Sequence, residues 1–579
     1  MKLLAGAVLG ALALGAERAQ ALDLWIDNVY VTQATQTYNK SVPLVAARRG
    51  LVRIFTRANQ ANSAVVPVKL DFYYNGVFSK SVRVNPRSGF TGVPTSVNSQ
   101  NYTYSHDYTL SAADIRPGLQ LVVEVDPDTL YPQSNYLNDV WPQGARRTDY
   151  SIDTGKLVRE NVWNAPVFQT MLVPLRTYNG LVGDVNANNL ESYVNYLRRV
   201  LPVPEALDVK LHSPYYFNGT PGPNYDNQWT RVLNELDALR YAERQSTRHY
   251  YGVLKPYYSS GGTGMAWIGG WAGMGIDWNS SLNGGNGTTT WRSGTYAHET
   301  GHNLGLQHAP CGGAAGTDPN YPYSWASIGV TGYDVWQNQI FNPNDGNSWT
   351  DLMGYCGYDW VSDYQYKRAL SWRDRNDWPA AGTRAGAAAA TGAQSLLIWG
   401  RIENGQVILE PAFRVDDAPT PEAKNSDYAI ESSDAYGRVV ARHSFTVYPS
   451  DHGEDQGFAF RMALPRAANG SAMLAANALA ASELRLVQNG ATRASLRRAP
   501  AMVRARAARP AAVTRGKAGH RVLEWDGARY PVALVRNAAN GEVMGFARDG
   551  RFEFEAGTVS AIAVQFSEGL DSTSQTFAL

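Results

Sequence analysis

The chain has little of what usually classifies a protein at sight. Its 52 basic and 51 acidic side chains leave a formal net charge of +1 over 579 residues. That balance offers no basic footprint for nucleic acid and no field that would draw the whole chain to a membrane. After residues 3–14 no apolar run is long enough to cross a bilayer, so no stable membrane anchor is expected. Cysteine is nearly absent, with only Cys311 and Cys356, which leaves room for one intramolecular bridge. Histidine is scarce too: nine residues in all, yet three of them fall within residues 298–308. Charged residues at 18% and hydrophobic residues at 44% are ordinary for a globular protein. At roughly 100–200 residues per domain, the length implies about three or four domains.

The histidine-rich segment reads His298-Glu299-Thr300-Gly301-His302-Asn303-Leu304-Gly305-Leu306-Gln307-His308. On a helix, residues four apart share a face, so His298 and His302 can bind one metal ion. Glu299 lies beside that pair, too close to the first ligand to join it easily but well placed to take a proton from an attacking water. Gly305 would let the helix end and the chain turn, returning His308 as a third nitrogen. Three neutral imidazoles leave a fourth position open, the layout of a catalytic zinc site rather than a closed structural one.

These residues resemble the metzincin zinc endopeptidases, whose extended motif places a methionine turn downstream of the three histidines. The candidate turn here is Asp351-Leu352-Met353-Gly354-Tyr355-Cys356. The resemblance implies that Met353 forms an apolar floor beneath the histidines. Tyr355 matches the astacin and serralysin branches, where a tyrosine supports the tetrahedral intermediate. Ala309 departs from the pattern, since adamalysins follow the third histidine with aspartate and astacins with glutamate. The glycine-rich calcium repeats of serralysins do not occur. His302-Asn303 and the large flanking regions are more similar to secreted bacterial mucin proteases of the StcE type. The implied activity is zinc-dependent hydrolysis of peptide bonds in extracellular proteins, including glycoproteins. Two rival readings are a glycan-binding adhesin with an idle protease fold, and a zinc amidase acting on cell-wall peptides.

The expected fold is multidomain: an α/β metzincin catalytic domain flanked by N-terminal and C-terminal β-sandwich domains of immunoglobulin-like type. Residues 1–21 read as a signal peptide, with Lys2, a short apolar stretch and Ala19-Gln20-Ala21 as the cleavage site, so the mature protein is expected to be secreted. In an exported chain an even cysteine count suggests a disulfide. A Cys311–Cys356 bridge would be worth about 4 kcal/mol in the chain-entropy model. Residues 22–154 read as a β-sandwich: Val66, Val68, Leu70 and Phe72 alternate, as do Leu119, Leu121, Val123 and Val125, and Asn75-Gly76 supplies a hairpin turn.

Residues 155–378 read as the catalytic domain. Strands are expected at 168–175, 207–212 and 250–254, a helix at 188–200 and a long amphipathic helix at 226–245. The glycine-rich stretch 264–278 carries Trp267, Trp271 and Trp278. In related proteases the edge strand here pairs with an extended substrate. The tryptophans either line that cleft, against peptide or sugar, or belong to the core. Asp318, Asn320 and Asp345 are calcium-binding types of residue but are equally ordinary turn formers. Residues 379–394, nearly all Ala, Gly and Thr, read as a linker. Residues 395–505 read as a second β-sandwich opening on a hairpin around Asn404-Gly405, and residues 506–579 as a small β-domain. The arginine run Arg493, Arg497, Arg498, Arg504, Arg506, Arg509 and Arg515 reads as a solvated interdomain stretch.

Overall fold

The computed structural model describes residues 21–100, 105–281, 289–344, 349–357, 359–377, 394–464, 481–498, 509–517 and 519–579. The leader, nearly all of the expected linker, Asp345, Arg504 and Arg506 lie outside the described residues. Strands outnumber helices throughout, in nine separate sheets among the described residues.

Two compact units emerge. One contains Leu51–Thr109 and Pro117–Asn161 together with the described residues up to Val31. It carries a three-stranded sheet in the order Leu24–Thr32, Gly50–Ala58, His106–Leu110, and a four-stranded one in the order Val77–Val84, Val68–Tyr74, Leu119–Val125, Val140–Trp141. The alternate apolar positions read from sequence are buried, but Asp71, Tyr73, Gln120 and Val122 between them are buried too, so both strands are covered on both faces over much of their length. Val68, Leu70 and Phe72 are buried, as are Leu119, Leu121, Val123 and Val125. Asn75 and Gly76 both take positive φ, 51° and 83°, as a two-residue type I′ hairpin requires.

The second unit contains Thr32–Gly50, Leu110–Arg116 and Val162–Leu579. Its central sheet runs Leu207–Leu211, Phe168–Arg176, His249–Leu254, Ala272–Ile276, Gly264–Ala266. The first four strands are parallel and Gly264–Ala266 is antiparallel to its neighbour. Helix α1 (Glu191–Val200) buries Tyr193, Val194, Tyr196, Leu197 and Val200, the stripe expected of a helix laid on a core. It begins three residues later than its apolar pattern suggests, at Glu191 rather than Asn188.

Helix α2 (Asn227–Ala242) corrects the amphipathic reading, because it is buried almost all round. One face packs on the central sheet. The other meets two strands from the C-terminal part of the chain, Ser395–Glu403 and Gln456–Ala463. Polar groups on α2 are accordingly paired: Asn234 Nδ2 donates to the carbonyls of Gly400 (2.7 Å) and Phe458 (3.2 Å), and Asp237 pairs with Arg240 at 2.6 Å. Such pairing is what burial of polar atoms demands. The C-terminal β-region is thus docked on the catalytic sheet within one unit.

That region opens on the hairpin expected around Asn404-Gly405, between Ser395–Glu403 and Gln406–Leu409. Four antiparallel sheets follow the chain from Ser395 to Ala578. The arginine run is not all linker. Arg493 and Arg497 stand on the strand Ala491–Arg497, with Arg497 paired to Glu483 and Arg498 to Asp571.

Candidate active site

Helix α3 (Trp291–Asn303) packs against the strands Gly264–Ala266 and Ala272–Ile276 and carries the first two histidines. Its start is held by a capping box, in which Thr290 and Ser293 satisfy each other's backbone N–H. Its end is set by Gly305, at φ +78°, whose N–H donates to the His302 carbonyl at 2.8 Å. This sharp stop swings the chain round so that His308 faces the helix it has just left.

The three imidazoles converge through their Nε2 atoms. His302 Nε2 lies 3.1 Å from His298 Nε2 and 3.1 Å from His308 Nε2. Each Nδ1–H donates outward to a backbone carbonyl: His298 to Leu352 (2.7 Å), His302 to Leu306 (2.8 Å) and His308 to Ala315 (2.6 Å). The tautomer is therefore the same in all three, with the Nε2 lone pairs turned inward. Burial pushes His298 and His302 well below the usual imidazole range and lowers His308 as well, with mutual repulsion adding to the effect at His298 and His302. Neutral nitrogens at this spacing fit a metal, since tetrahedral ligands at zinc's bond length sit about 3.3 Å apart.

Met353 is fully buried, next to Leu352, whose carbonyl accepts from His298 Nδ1. A Cβ added at Gly301 would come within 2.5 Å of Met353 Sδ, so glycine in the last turn of α3 is what lets the methionine approach. The turn holding Met353 is pinned from both sides. Asp351 Oδ1 accepts from Met353 N (2.8 Å), Asp351 Oδ2 accepts from Ser362 N (2.8 Å), and the Met353 carbonyl accepts from Ala309 N (3.0 Å). Cys311 and Cys356 form a disulfide that closes the His308 loop onto this turn. Tyr355 lies half-buried between them and the histidines, its ring centre 4.8 Å from that of His308.

Glu299 is buried, with Oε2 making no hydrogen bond within the described structure. Burial, followed by the nearby Asp451, holds its carboxyl well above the usual carboxylate range. Asn303 fastens α3 to the sheet edge by donating from Nδ2 to the carbonyls of Trp267 (3.0 Å) and Ala272 (2.9 Å). Of the three tryptophans named from sequence, Trp267 does not face an open cleft, while Trp271 and Trp278 are only partly buried. Trp267 is fully buried with Trp399 and Ala459, over Gly457, where a Cβ would meet its ring at 2.3 Å. Trp271 stacks on the other side, 4.6 Å from His249 and 5.5 Å from Trp372. Asp318 is occupied as well. It takes a hydrogen bond from Tyr364 (2.8 Å), pairs with Arg368 and accepts from Asn320 N (2.9 Å), which leaves its charge balanced without calcium.

Two residues at this centre escaped the sequence reading. Asp451 sends Oδ2 to 3.6 Å from His302 Nε2, and Glu299, His302 and Asp451 offer ligand atoms within 4.8 Å of one another. His452 stacks on Tyr225 with ring centres 3.8 Å apart and lies 3.3 Å from the Tyr355 hydroxyl. Nothing local marks either residue, because they arrive from the docked β-region; the only cue is that His452 is one of the few histidines outside the motif.

Residues 208–347 match the Reprolysin_5 family model, described as Metallo-peptidase family M12. The match spans α2, α3 and the three histidines but not Met353. No curated protein matches the chain. Among solved structures, metalloproteinase-II from Bacteroides fragilis is similar over 59% of this chain and 86% of its own, at 12% identity and a TM-score of 0.20. The CARDB domain of a Pyrococcus furiosus protein is similar over 21% of this chain and 89% of its own, at 13% identity and a TM-score of 0.14. Scores this low carry no argument. The family match over the histidine segment, joined to a buried triad able to hold a metal, supports a metallopeptidase.

Proposed function

We propose that the chain is a secreted, zinc-dependent endopeptidase of metzincin type acting on extracellular proteins, glycoproteins among them. The convergence of three inward-facing Nε2 atoms beside a buried, unpartnered Glu299 carries this reading. His298, His302 and His308 would hold the ion. Zinc bound there would act as a Lewis acid toward a scissile carbonyl and acidify a water at its open position.

The rest is work for the chain's own groups. Glu299, its carboxyl raised by burial, receives the proton of the attacking water and passes it to the leaving amine. Tyr355, whose ring lies beside His308, offers its hydroxyl to the developing oxyanion. Met353 and the Cys311–Cys356 bridge fix the histidines' geometry from below and from the side. The flanking β-regions read as immunoglobulin-like modules that present substrate or space the catalytic region from a surface.

The test is electrophoresis of casein, a mucin-type O-glycoprotein and its deglycosylated form after incubation with the full chain, with and without a zinc chelator. Chelator-sensitive cleavage that disappears in Glu299→Gln is expected. Cleavage of the glycosylated form alone would favour the mucin-protease branch. Lack of cleavage of all three substrates would overturn the reading.

A further inference from the structure

Helix α2 ends in a Schellman motif: Arg244 N donates to the Tyr241 carbonyl (3.2 Å) and Gln245 N to the Arg240 carbonyl (2.9 Å). The residue at the turning point has left-handed backbone, φ 59°, where glycine is the usual occupant because a Cβ is disfavoured. Here it is Arg244, and neither burial nor an ion pair offsets the strain. Its side chain is exposed, and no carboxylate pairs with it among the described residues.

Arg244 borders a cavity of about 770 Å³ between the end of α2 and the C-terminal β-region, a volume in the range of small-ligand sites. Arg414 enters it from the strand Phe413–Val415 and Arg536 from Val532–Asn537. Arg536 is held by two neutral groups, the carbonyls of Gly541 and Ala242, both at 3.0 Å, and no carboxylate pairs with it among the described residues. Burial lowers its basicity, Glu243 raises it and the charge of Arg244 lowers it, so the two guanidiniums stand near enough to repel. The strands behind them add polar groups. Ser574 and Thr576 lie two apart and so share a face, Gln565 is directly opposite Ser574, and Ala563 stands in register between Arg536 and Thr576. One face of this sheet thus presents a row of hydroxyl, amide and guanidinium groups to the cavity.

The carboxylates in the same wall are already engaged. Glu243 accepts from Val543 N (2.7 Å), the Tyr250 hydroxyl (2.7 Å) and His212 Nε2 (3.0 Å). Glu542 accepts from Ser213 N (2.8 Å) and Oγ (2.7 Å), and Asp416 from Gln394 Nε2 (3.0 Å). Both ring nitrogens of His212 face acceptors, Glu243 and the Ser213 carbonyl (2.6 Å), so the ring carries both protons and cancels the charge of Glu243. Three arginines then face two carboxylates, and the cavity is left with a cationic excess.

We propose that this cavity binds an acidic saccharide, a sugar chain bearing a carboxylate or a sulfate group. Arg244 and Arg536 clasp the oxyanion, and the row of hydroxyls and amides takes the sugar's hydroxyl groups. An acidic peptide is the poorer fit, because this polar wall offers its side chains no apolar pocket. The site shares no residue with the histidine centre and needs no metal. It makes the C-terminal β-region a sugar-reading module rather than a spacer alone.

The test is isothermal titration of the full chain with a sialic-acid-terminated trisaccharide, a sulfated disaccharide, neutral lactose and a hexaglutamate peptide. At least one acidic sugar is expected to bind at least about tenfold more tightly than lactose, and more weakly as salt rises. Which of the two binds says whether carboxylate or sulfate is read. Arg244→Gly removes a guanidinium while giving the left-handed position the residue it favours. It should weaken the acidic sugar at least about tenfold with Tm level or raised, and Arg244→Lys should recover part of the loss. Affinity retained in Arg244→Gly, or lost together with a fall in Tm, would overturn the assigned role of Arg244. Lactose binding as tightly as the acidic sugars would overturn recognition of the anion, and hexaglutamate binding as tightly would overturn the saccharide class. Absence of binding by all four would overturn the site.

Discussion

The two sides of the metal site are built by opposite means. One side is local: α3, the turn at Gly305 and the returning His308 lie within a few residues of one another, and a disulfide ties them to Met353's turn. The other side is remote, since Asp451 and His452 reach the same centre from a β-region about 150 residues further on, through backbone pairing to a sheet edge. The local side assembles the nitrogens, and the remote side adds Asp451 beside His302 and His452 beside Tyr355. A third histidine environment sharpens the contrast. His249 is also buried, pushed down to about 3 by burial and then by Arg240 and Arg373. Yet it is enclosed by the rings of Phe168 (4.9 Å) and Trp271 (4.6 Å). Burial lowers an imidazole's basicity anywhere, but only converging nitrogens with their other sides fixed make a metal cradle.

The comparison can be broken at several points. His302→Ala removes the nitrogen shared by both 3.1 Å contacts. It should abolish metal content, measured by elemental analysis, together with all cleavage. Glu299→Gln should keep the metal and lower kcat by about 10²–10⁴-fold, the usual contribution of a placed general base; loss of metal in this variant would make Glu299 a ligand instead.

Replacing Cys311 and Cys356 together by serine should cost about 4 kcal/mol in the chain-entropy model, seen as a lower denaturant midpoint. An unchanged midpoint would show that the packing around Met353 holds the loop without the bridge. Gly301→Ala should cost about 1–3 kcal/mol by overpacking against Met353 Sδ, read as a fall in Tm, while leaving the docked β-region unaffected.

How much was legible follows the same division. The triad and Glu299 were readable because their spacing alone implies proximity, Met353 through the resemblance to the metzincins, the cysteine pair because the chain holds only two, and the strands Phe168–Arg176 and His249–Leu254 because continuous apolar runs mark a buried parallel sheet. Asn303 was noted in sequence only as part of the resemblance, and its physical role appears only once α3 is laid against Trp267 and Ala272. Trp267 looked available to substrate because sequence does not reveal that Gly457 and Trp399 cover it. Helix α2 looked amphipathic for the same reason, since its outer face is buried by strands more than 150 residues away. Asp451 was the costliest omission: a lone aspartate before histidine and glycine reads as a turn, and only long-range strand pairing turns it toward His302.

The most direct test of the central claim pairs zinc stoichiometry with casein cleavage in the wild-type chain and in Glu299→Gln. The account predicts one zinc per chain in both, with chelator-sensitive cleavage in the first and none in the second. Cleavage that survives Glu299→Gln, or that proceeds with no bound metal, would contradict it.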